Sequence, residues 1–337
     1  MTDRYYYYQL NDACRVLYVR ILEEIKQRHI NIICADLIID KENVSTVINA
    51  VMCDNPHLFY VNFFNYKYYE EFDKVVNIQI SYLYTLDDTE ALQLIVDRSL
   101  LKLTDKLDLG DCSDLQKVWK LHDFLIDNVE YFQEALLNTG SFEWCRAQSI
   151  LGLMLDKKAV CSGISMAFKY ILNRIGVRSI VVLGTALNKN DLKERHAWNI
   201  VKIAGVSYHI DMTWDITSSQ KGLRNYDYFI LTDQLIFKDH YTDAVLPACH
   251  SDRDNYFVRN GWVIRNSQDW KRYFAECNAH SIGDYYVRID YPCQLEQATS
   301  RIINYNIMAN MGVQFSYRTF LNPRQGIIRV KIEYGKF

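Results

Sequence analysis

The sequence predicts an α+β fold made of three segments, and three observations support this. Its 337 residues exceed the usual length of one domain, so we expect about two or three domains. Hydrophobic residues make up 49% and charged residues 23%, values that exclude disordered, collagen-like and coiled-coil chains. Stretches with helical spacing of apolar residues alternate with short stretches rich in β-branched and aromatic residues, which favours mixed helix and strand.

The N-terminal segment, residues 1–108, is predicted to be a small α+β accessory domain. It carries no catalytic motif, so we expect it to support or cover the segment that follows. Its apolar spacing predicts helices at 11–29, 43–53 and 89–103, and strands at 57–64 and 75–85.

The middle segment, residues 109–246, is predicted to be the catalytic domain. Helices are expected at 113–129 and 144–155, and a short strand at 226–231. The stretch from Val160 to Asp215 holds the residues that carry chemistry, so the functional prediction depends on it.

The C-terminal segment, residues 247–337, is predicted to be an α/β accessory domain with the order β-α-β-α-β-β. Ser267 is a plausible N-cap for the first of its helices. The expected strands and helices are strands 255–265, 284–291, 312–320 and 326–334, and helices 267–279 and 294–309.

Charge and hydropathy exclude several classes of function. The net charge is −3 and the pI is about 6.3, so the chain lacks the basic field that binds nucleic acid or anionic membranes. No apolar run of about 18 residues exists, so we expect no membrane span. Residues 1–10 lack the apolar run of a signal peptide, which predicts a cytoplasmic protein unless a secretion signal has been removed.

The nine cysteines exclude the common metal and redox motifs. No CxxC pair occurs, which excludes zinc ribbons and thioredoxin-type sites, and Cys249-His250 is an incomplete set of metal ligands. The thiol chemistry described below requires no metal and no organic cofactor, so we expect neither. Because nine is an odd number, at least one thiol stays free unless it pairs between chains.

Cys161 has the clearest electrostatic reason to be reactive. It directly precedes a predicted amphipathic helix that ends at Gly176. The apolar stripe of this helix consists of Ile164, Phe168, Ile171, Leu172 and Ile175. The positive end of the helix dipole favours the thiolate, which is the nucleophilic form of cysteine.

A predicted hairpin brings a histidine and a carboxylate together downstream of Cys161. Strands at 196–203 and 206–213 are joined by Ala204-Gly205, which we interpret as a two-residue turn. Ile203 then faces Val206, and His196 and Asp211 become diagonal neighbours on one sheet face, about 7–8 Å apart. A three-residue loop would put them on opposite faces, so the prediction depends on this turn.

Together these residues supply the parts of a thiol triad. Cys161 would attack a carbonyl, His196 would accept and return the proton, and Asp211 would orient the imidazole. The oxyanion would use the backbone N–H of Cys161 and one side-chain donor, for which Gln148 and Tyr131 are candidates.

Three motifs resemble the transglutaminase-like superfamily, of the bacterial transglutaminase-like or cysteine peptidase type. They are Ala159-Val-Cys-Ser-Gly163, Arg195-His-Ala-Trp-Asn199 and Tyr208-His-Ile-Asp-Met-Thr-Trp-Asp215, within residues 110–231. The resemblance implies a papain-like core in which a nucleophile helix packs on an antiparallel sheet, with Cys161, His196 and Asp211 as the triad. Ala159 departs from the glycine that the family often has at that position.

Other residues near the motifs have alternative interpretations. His209 shares the face of Asp211 and is a rival base, although a half-exposed strand histidine is the simpler reading. Asp215 is a rival orienting residue, but its position after the predicted strand favours a turn former or a helix cap. Trp198 and Trp214 are candidates for the walls of the substrate site.

The leading hypothesis is a thiol-dependent acyl-transfer enzyme. It would act on amide carbonyls of a protein or peptide substrate through a Cys161 thioester, as a peptidase, amidase or transglutaminase. The alternative is a non-catalytic module that keeps the fold to bind a protein or glycan.

Overall fold

The computed structural model describes residues 4–188, 190–219, 223–279, 283–310 and 313–334. Helices and strands are interspersed along the whole chain, so the mixed α and β class predicted from the sequence is confirmed. Within the described residues, no helix is both long enough and apolar enough to cross a bilayer.

Helices and a small sheet form the N-terminal part. Its helices are α1 (Asp12–Lys26), α2 (Lys41–Asp54) and α3 (Leu86–Leu107), as predicted, with α3 longer than expected. Its antiparallel strands are β1 (Asn31–Ile33), β2 (Lys67–Glu71) and β3 (Lys74–Gln79). Strand β3 lies in the middle of this sheet and stops before the predicted end at residue 85.

The strand predicted at 57–64 is wrong. These residues form successive tight turns, in which the N–H of Leu58 donates to the carbonyl of Asn55 at 3.0 Å and that of Val61 to Leu58 at 3.1 Å. Only a single bridge, between Val61 and Tyr82, resembles sheet pairing. The aromatic and apolar composition reflects burial here, and local backbone bonds satisfy the polar groups that a sheet would otherwise satisfy.

An antiparallel sheet and one central helix form the middle part. The helices before the sheet are α4 (Asp114–Asn128), α5 (Phe142–Ala147) and α6 (Cys161–Arg174). The strands of the sheet are β6 (Arg178–Leu187), β7 (Lys193–Ile203), β8 (Val206–Ile210) and β9 (His240–Tyr241), in the order β8-β7-β6-β9. Helix α6 packs on β6 and β7, and its buried face includes Ile164, Phe168 and Ile171.

Shorter elements connect the middle part to its surroundings. The paired strands β4 (Glu130–Tyr131) and β5 (Lys158–Ala159) run parallel just before α6. The helix predicted at 144–155 is divided into α5 and a π-helical turn at Gly152–Asp156, and between them the side chain of Ser149 accepts from the N–H of Leu151 at 3.2 Å. The two short helices that follow β8 are α7 (Met212–Ser218) and α8 (Asp233–Ile236).

The strand predicted at 226–231 is also wrong. In this stretch the backbone turns, Ile230 has a positive φ of 57°, and only Leu231 bridges to His209. A positive φ is incompatible with an extended strand, so the apolar residues here are buried by turns instead.

The C-terminal part has its own sheet and core. Its elements are α9 (Tyr256–Arg259), β10 (Val263–Ile264), α10 (Ser267–Ala279), β11 (Asp284–Ile289), α11 (Leu295–Ala309), β12 (Phe315–Asn322) and β13 (Ile327–Tyr334). The sheet order is β10-β11-β13-β12, and the β12–β13 hairpin faces the middle part.

Two C-terminal predictions need correction. The predicted strand 255–265 begins as helix α9, because the side chain of Asn255 accepts from the N–H of Phe257 and caps that helix. Ser267 is not the N-cap of α10. Asn266 has that role, since its Oδ1 accepts from the N–H groups of Gln268 and Asp269 at 2.8 and 3.1 Å.

Candidate active site

Cys161 is the first residue of α6 and is partly exposed to solvent. The preceding residue, Val160, is extended and has no side chain that can accept a hydrogen bond, so no side chain caps the first turn. The N–H groups at the start of a helix lack intrahelical partners, so Cys161 lies at the positive end of the α6 dipole. All nine cysteines are free thiols, and besides Cys161 only Cys112 and Cys293 are partly exposed.

Gly163 sets the position of the α6 N-terminus. A Cβ on Gly163 would lie 2.1 Å from the carbonyl oxygen of Ala147, so only glycine allows this close approach of α6 to the end of α5. The N–H of Val160 donates to the same carbonyl at 3.2 Å. The small residue at 163 therefore serves packing behind Cys161.

The hairpin that carries His196 has the register predicted from the sequence. Ala204 and Gly205 form a two-residue turn with φ values of 47° and 88°, the positive values that a tight hairpin turn of this kind requires. Ile203 pairs with Val206, which confirms the predicted register.

Asp211 reaches His196 from a helix cap, which corrects the predicted strand 206–213. Strand β8 ends at Ile210, and Asp211 is the N-cap of α7, because its Oδ1 accepts from the N–H groups of Thr213 and Trp214 at 2.9 and 3.2 Å. Its Oδ2 accepts from His196 Nε2 at 2.8 Å. The side chain of Asp211 is fully buried.

The imidazole of His196 lies between Asp211 and Cys161. With Nε2 bonded to Asp211, the imidazole is also close enough to the thiol of Cys161 for that thiol to help raise the pKa of His196. Burial lowers the pKa of His196, but the charge and hydrogen bond of Asp211, followed by the contact with Cys161, outweigh burial and raise it to about 10. Burial would raise the pKa of Asp211, but His196 and His240 hold it well below its usual value.

The two oxyanion candidates both lie beside the nucleophile. Gln148 follows α5 and accepts a hydrogen bond from the hydroxyl of Ser162, the neighbour of Cys161. Tyr131 is in β4, which pairs with Ala159 just before Cys161. Burial, and then the charges at Cys161, Glu194 and Asp211, raise the pKa of Tyr131, so its hydroxyl stays protonated and can donate.

The two tryptophans have different positions. Trp214 is half-buried, lines the cleft described below, and has its ring 5.4 Å from that of His196. Trp198 is fully buried and is stacked on His196 at 6.4 Å, so it supports the imidazole from behind and is not a wall of the substrate site.

The structure separates both rival residues from His196 and Cys161. His209 is fully buried, not half-exposed, and bonds Trp198 Nε1 at 3.1 Å and Asp233 Oδ1 at 2.9 Å. Asp215 is inside α7 and bonds His122 Nε2 at 2.9 Å, so it is neither a cap nor a partner of His196. Burial raises the pKa of Asp215, which is the opposite of what an orienting anion requires.

His240 and Asp239 belong to the site and were missed from the sequence. His240 Nε2 lies 3.1 Å from Asp211 Oδ2, and His240 Nδ1 lies 2.7 Å from Asp239 Oδ1. Strand β9 pairs with the edge of β6 that does not face β7, and this pairing brings His240 opposite Ala186. No periodicity links position 240 to the motifs, so only the tertiary structure reveals it.

A cleft of about 990 Å³ adjoins the site, between the middle and C-terminal parts. Tyr131, His196 and Trp214 lie on one side, and Asn322 and Arg324 of the β12–β13 hairpin lie on the other. A cleft of this size is sufficient for several residues of an extended peptide.

Two side-chain groups in the described residues have metal-ligand spacing. They are His196, Asp211 and His240, and His209, Asp233 and Cys249. In the second group Trp198 Nε1 donates to His209 Nδ1, so the proton of a neutral imidazole is on Nε2, facing Asp233. A metal at Nε2 would move that proton to Nδ1, against the Trp198 N–H. The hydrogen bonds of the second group therefore fit paired side chains better than metal ligands.

No protein-family model matches the chain, and no curated protein matches it significantly. One similar solved structure is described as a TGase, with a TM-score of 0.33 and 16% identity over 55% of this chain and 50% of that one. A second is a proposed cysteine protease from Cytophaga hutchinsonii, with a TM-score of 0.27 and 13% identity over 44% of this chain and 61% of that one. A third is a proposed protease from Parabacteroides distasonis, with a TM-score of 0.27 and 11% identity over 80% of this chain and 56% of that one.

The match thus spans between half and two thirds of each of these structures. Because the TM-scores and identities are low, these similarities carry no argument about the activity of this chain.

Proposed function

We propose that this protein is a thiol-dependent acyl-transfer enzyme in which Cys161, His196 and Asp211 form the triad. The observation that carries the proposal is one connected arrangement. The partly exposed thiol of Cys161 lies at a helix N-terminus and acts electrostatically on His196, whose Nε2 bonds the buried carboxylate of Asp211 at 2.8 Å. The resemblance of the three motifs to the transglutaminase-like superfamily points to the same chemistry.

The first half-reaction forms a thioester. The sulfur of Cys161, having given its proton to His196, bonds the carbonyl carbon of an amide, and the carbonyl oxygen takes the negative charge. The backbone N–H of Cys161, with a donor from Gln148 or Tyr131, would stabilise that oxygen, and both side chains lie near Cys161 in the chain's fold. The carbon–nitrogen bond then breaks, and His196 returns the proton to the departing amine or ammonia.

The second half-reaction releases the acyl group. Water or a second amine gives a proton to His196 and bonds the thioester carbon, and the sulfur leaves as thiolate. Water as acceptor makes the enzyme a peptidase or amidase, whereas an amine makes it a transglutaminase. The cleft beside His196 and Trp214 supports a protein or peptide as substrate.

Thiol alkylation tests the nucleophile without a known substrate. We expect iodoacetamide at mildly acidic pH to label Cys161 at least about ten-fold faster than Cys112 and Cys293, the other partly exposed thiols. Cys161→Ala should remove the fast phase, and Cys112→Ala and Cys293→Ala should retain it. Equal rates at the three positions would overturn the proposal.

Amide substrates with and without an added primary amine then test the reaction. Turnover that Cys161→Ala and His196→Ala abolish, in proteins that remain folded, supports the triad. Hydrolysis alone indicates a peptidase or amidase, and amine incorporation indicates a transglutaminase. An inert thiol together with retained binding of a protein or glycan would instead favour the non-catalytic alternative.

A further inference from the structure

The imidazole of His240 lies between two carboxylates in the interior. Its Nε2 is 3.1 Å from Asp211 Oδ2, its Nδ1 is 2.7 Å from Asp239 Oδ1, and the side chain is fully buried. A neutral imidazole donates from one nitrogen only, whereas a doubly protonated imidazole donates from both. The position of the protons therefore depends on whether either carboxylate can carry one.

Each lone pair of the Asp211 carboxylate already faces a hydrogen-bond donor, so none is free to hold a proton. Its Oδ1 accepts from two backbone N–H groups, those of Thr213 and Trp214, and its Oδ2 faces both His196 and His240. A proton on Oδ2 would displace one of the two imidazoles. The four donors thus favour an ionised carboxylate.

Asp239 faces three hydrogen-bond donors among the described residues, one fewer than Asp211. Its Oδ2 accepts from the hydroxyl of Tyr228 at 2.8 Å and from Gln325 Nε2 at 3.1 Å, and its Oδ1 faces His240. The hydroxyl of Tyr228 itself receives Asn322 Nδ2 at 3.3 Å, which leaves its own proton for Asp239. Gln325 and Asn322 belong to the C-terminal part, so that part contributes to the charge arrangement around His240.

We propose that His240 is a positioning residue of the triad, a doubly protonated imidazole held between the carboxylates of Asp211 and Asp239. This inference rests on the proposed function, because its consequence concerns the proton that His196 exchanges. His240 fixes the direction of the Asp211 carboxylate and places a positive charge behind it. Its ring is 5.4 Å from that of His196, so this charge opposes retention of the proton on His196.

The surroundings of His240 contain few other ionisable groups. His196 approaches from β7, Asp211 from the start of α7, Asp239 from the turn just before β9, and Tyr228 from the turn at 226–231. His209 of β8 is a further ionisable neighbour that interacts electrostatically with His240. The remaining space is occupied by the rings of Trp198 and Trp214, at 5.0 and 4.5 Å. Such an apolar enclosure makes the paired charges dependent on one another.

Nuclear magnetic resonance of protein with ¹⁵N-labelled histidine tests the proposal on the wild-type chain. We expect both ring nitrogens of His240 to be protonated at neutral pH. In His240→Gln we expect the titration of His196 to move up by about one pH unit, because a positive neighbour and a competing donor to Asp211 are lost. With an amide substrate, kcat should fall about ten-fold with KM little changed, the loss of one charged hydrogen bond.

Two further variants separate this role from a structural one. Asp239→Asn should leave His240 bonded to Asp211 but singly protonated, and His250→Gln, at an exposed histidine, should change neither titration. One unprotonated ring nitrogen on His240 in the wild type, or a His240→Gln variant that only melts earlier with an unmoved His196 titration, would overturn the proposal. If Cys161 alkylates no faster than Cys112, the proposed function fails, and the resonances still decide the state of His240.

Discussion

The carboxylate of Asp211 joins two roles, because Oδ1 caps helix α7 while Oδ2 bonds His196 Nε2 at 2.8 Å. The cap fixes the carboxylate in the backbone frame of α7, and the hairpin turn at Gly205 fixes the strand that carries His196. The orientation of the imidazole therefore depends on two local structures that the sequence encodes separately.

Asp211→Asn is expected to reduce turnover far more than it reduces stability. Asparagine is also a good N-cap, so α7 should persist, but a neutral amide cannot stabilise the protonated His196. We expect kcat/KM to fall by about 10²–10⁴, measured on an amide substrate. Asp243→Asn, at an exposed aspartate, is the control and should be unaffected. Retained activity in Asp211→Asn would remove Asp211 from the triad.

The stabilisation that His196 provides should depend on pH. Its pKa is raised from 6.5 to about 10 in the folded protein, so the folded state binds this proton more tightly than the unfolded state. The contribution is fully present below about pH 6.5 and is lost as the pH rises through about 10. Urea denaturation should show the difference in unfolding free energy between wild type and His196→Gln shrinking across this range. A constant difference would contradict the raised pKa.

Local features of the site were predictable from the sequence. The register of the hairpin depends on the two-residue turn at Ala204 and Gly205, and the helix of Cys161 on one apolar stripe. Both are settled within about 15 residues of chain, where spacing translates directly into geometry.

Competition between local structures explains what the sequence prediction missed. Asp211 continues the alternation of apolar and polar residues that predicts a strand. Its side chain instead caps the first turn of α7 by accepting from the N–H of Thr213, so the strand ends before it. A carboxylate before a short apolar helix was the signal that could have revealed this cap. His240 carried no such signal. Strand β9 pairs with β6 although it is distant in sequence, and the chain that leads to it is largely irregular, so only the tertiary structure shows where His240 lies.

Gly163→Ala should destabilise the protein, since its Cβ would lie 2.1 Å from a backbone carbonyl that cannot move alone. We expect a loss of about 1–3 kcal/mol in unfolding free energy, with slower alkylation of Cys161 as α6 shifts. Gly110→Ala is the matched control, because a Cβ there meets nothing within 4 Å. Equal stability of the two variants would show that α6 does not depend on this contact.

Trp198→Phe should weaken the support beneath His196. The variant keeps an aromatic ring but removes the N–H that bonds His209 Nδ1 at 3.1 Å, which leaves a buried acceptor without its donor. We expect a loss of about 1–3 kcal/mol by urea denaturation. Trp262→Phe, at a half-buried tryptophan, serves as the control. If both variants lose the same unfolding free energy, the Trp198–His209 hydrogen bond does not stabilise the protein measurably.

Arg324→Ala should alter substrate binding more than chemistry. The guanidinium of Arg324 donates to the carbonyls of Leu187 and Asn188 at 2.5 and 2.6 Å and pairs with Asp191. These three residues lie at the turn that connects β6 to β7. Arg324 therefore links the β12–β13 hairpin to that turn across the cleft. Without it the cleft wall loses a fixed position, while the Asp211–His196 hydrogen bond is untouched. We expect KM to rise about five- to ten-fold with kcat within about two-fold, which is the pattern of lost uniform binding. Arg318→Ala, which removes only an exposed pair with Glu333, should change neither constant. A fall in kcat at constant KM would instead mean that the hairpin acts on the triad itself.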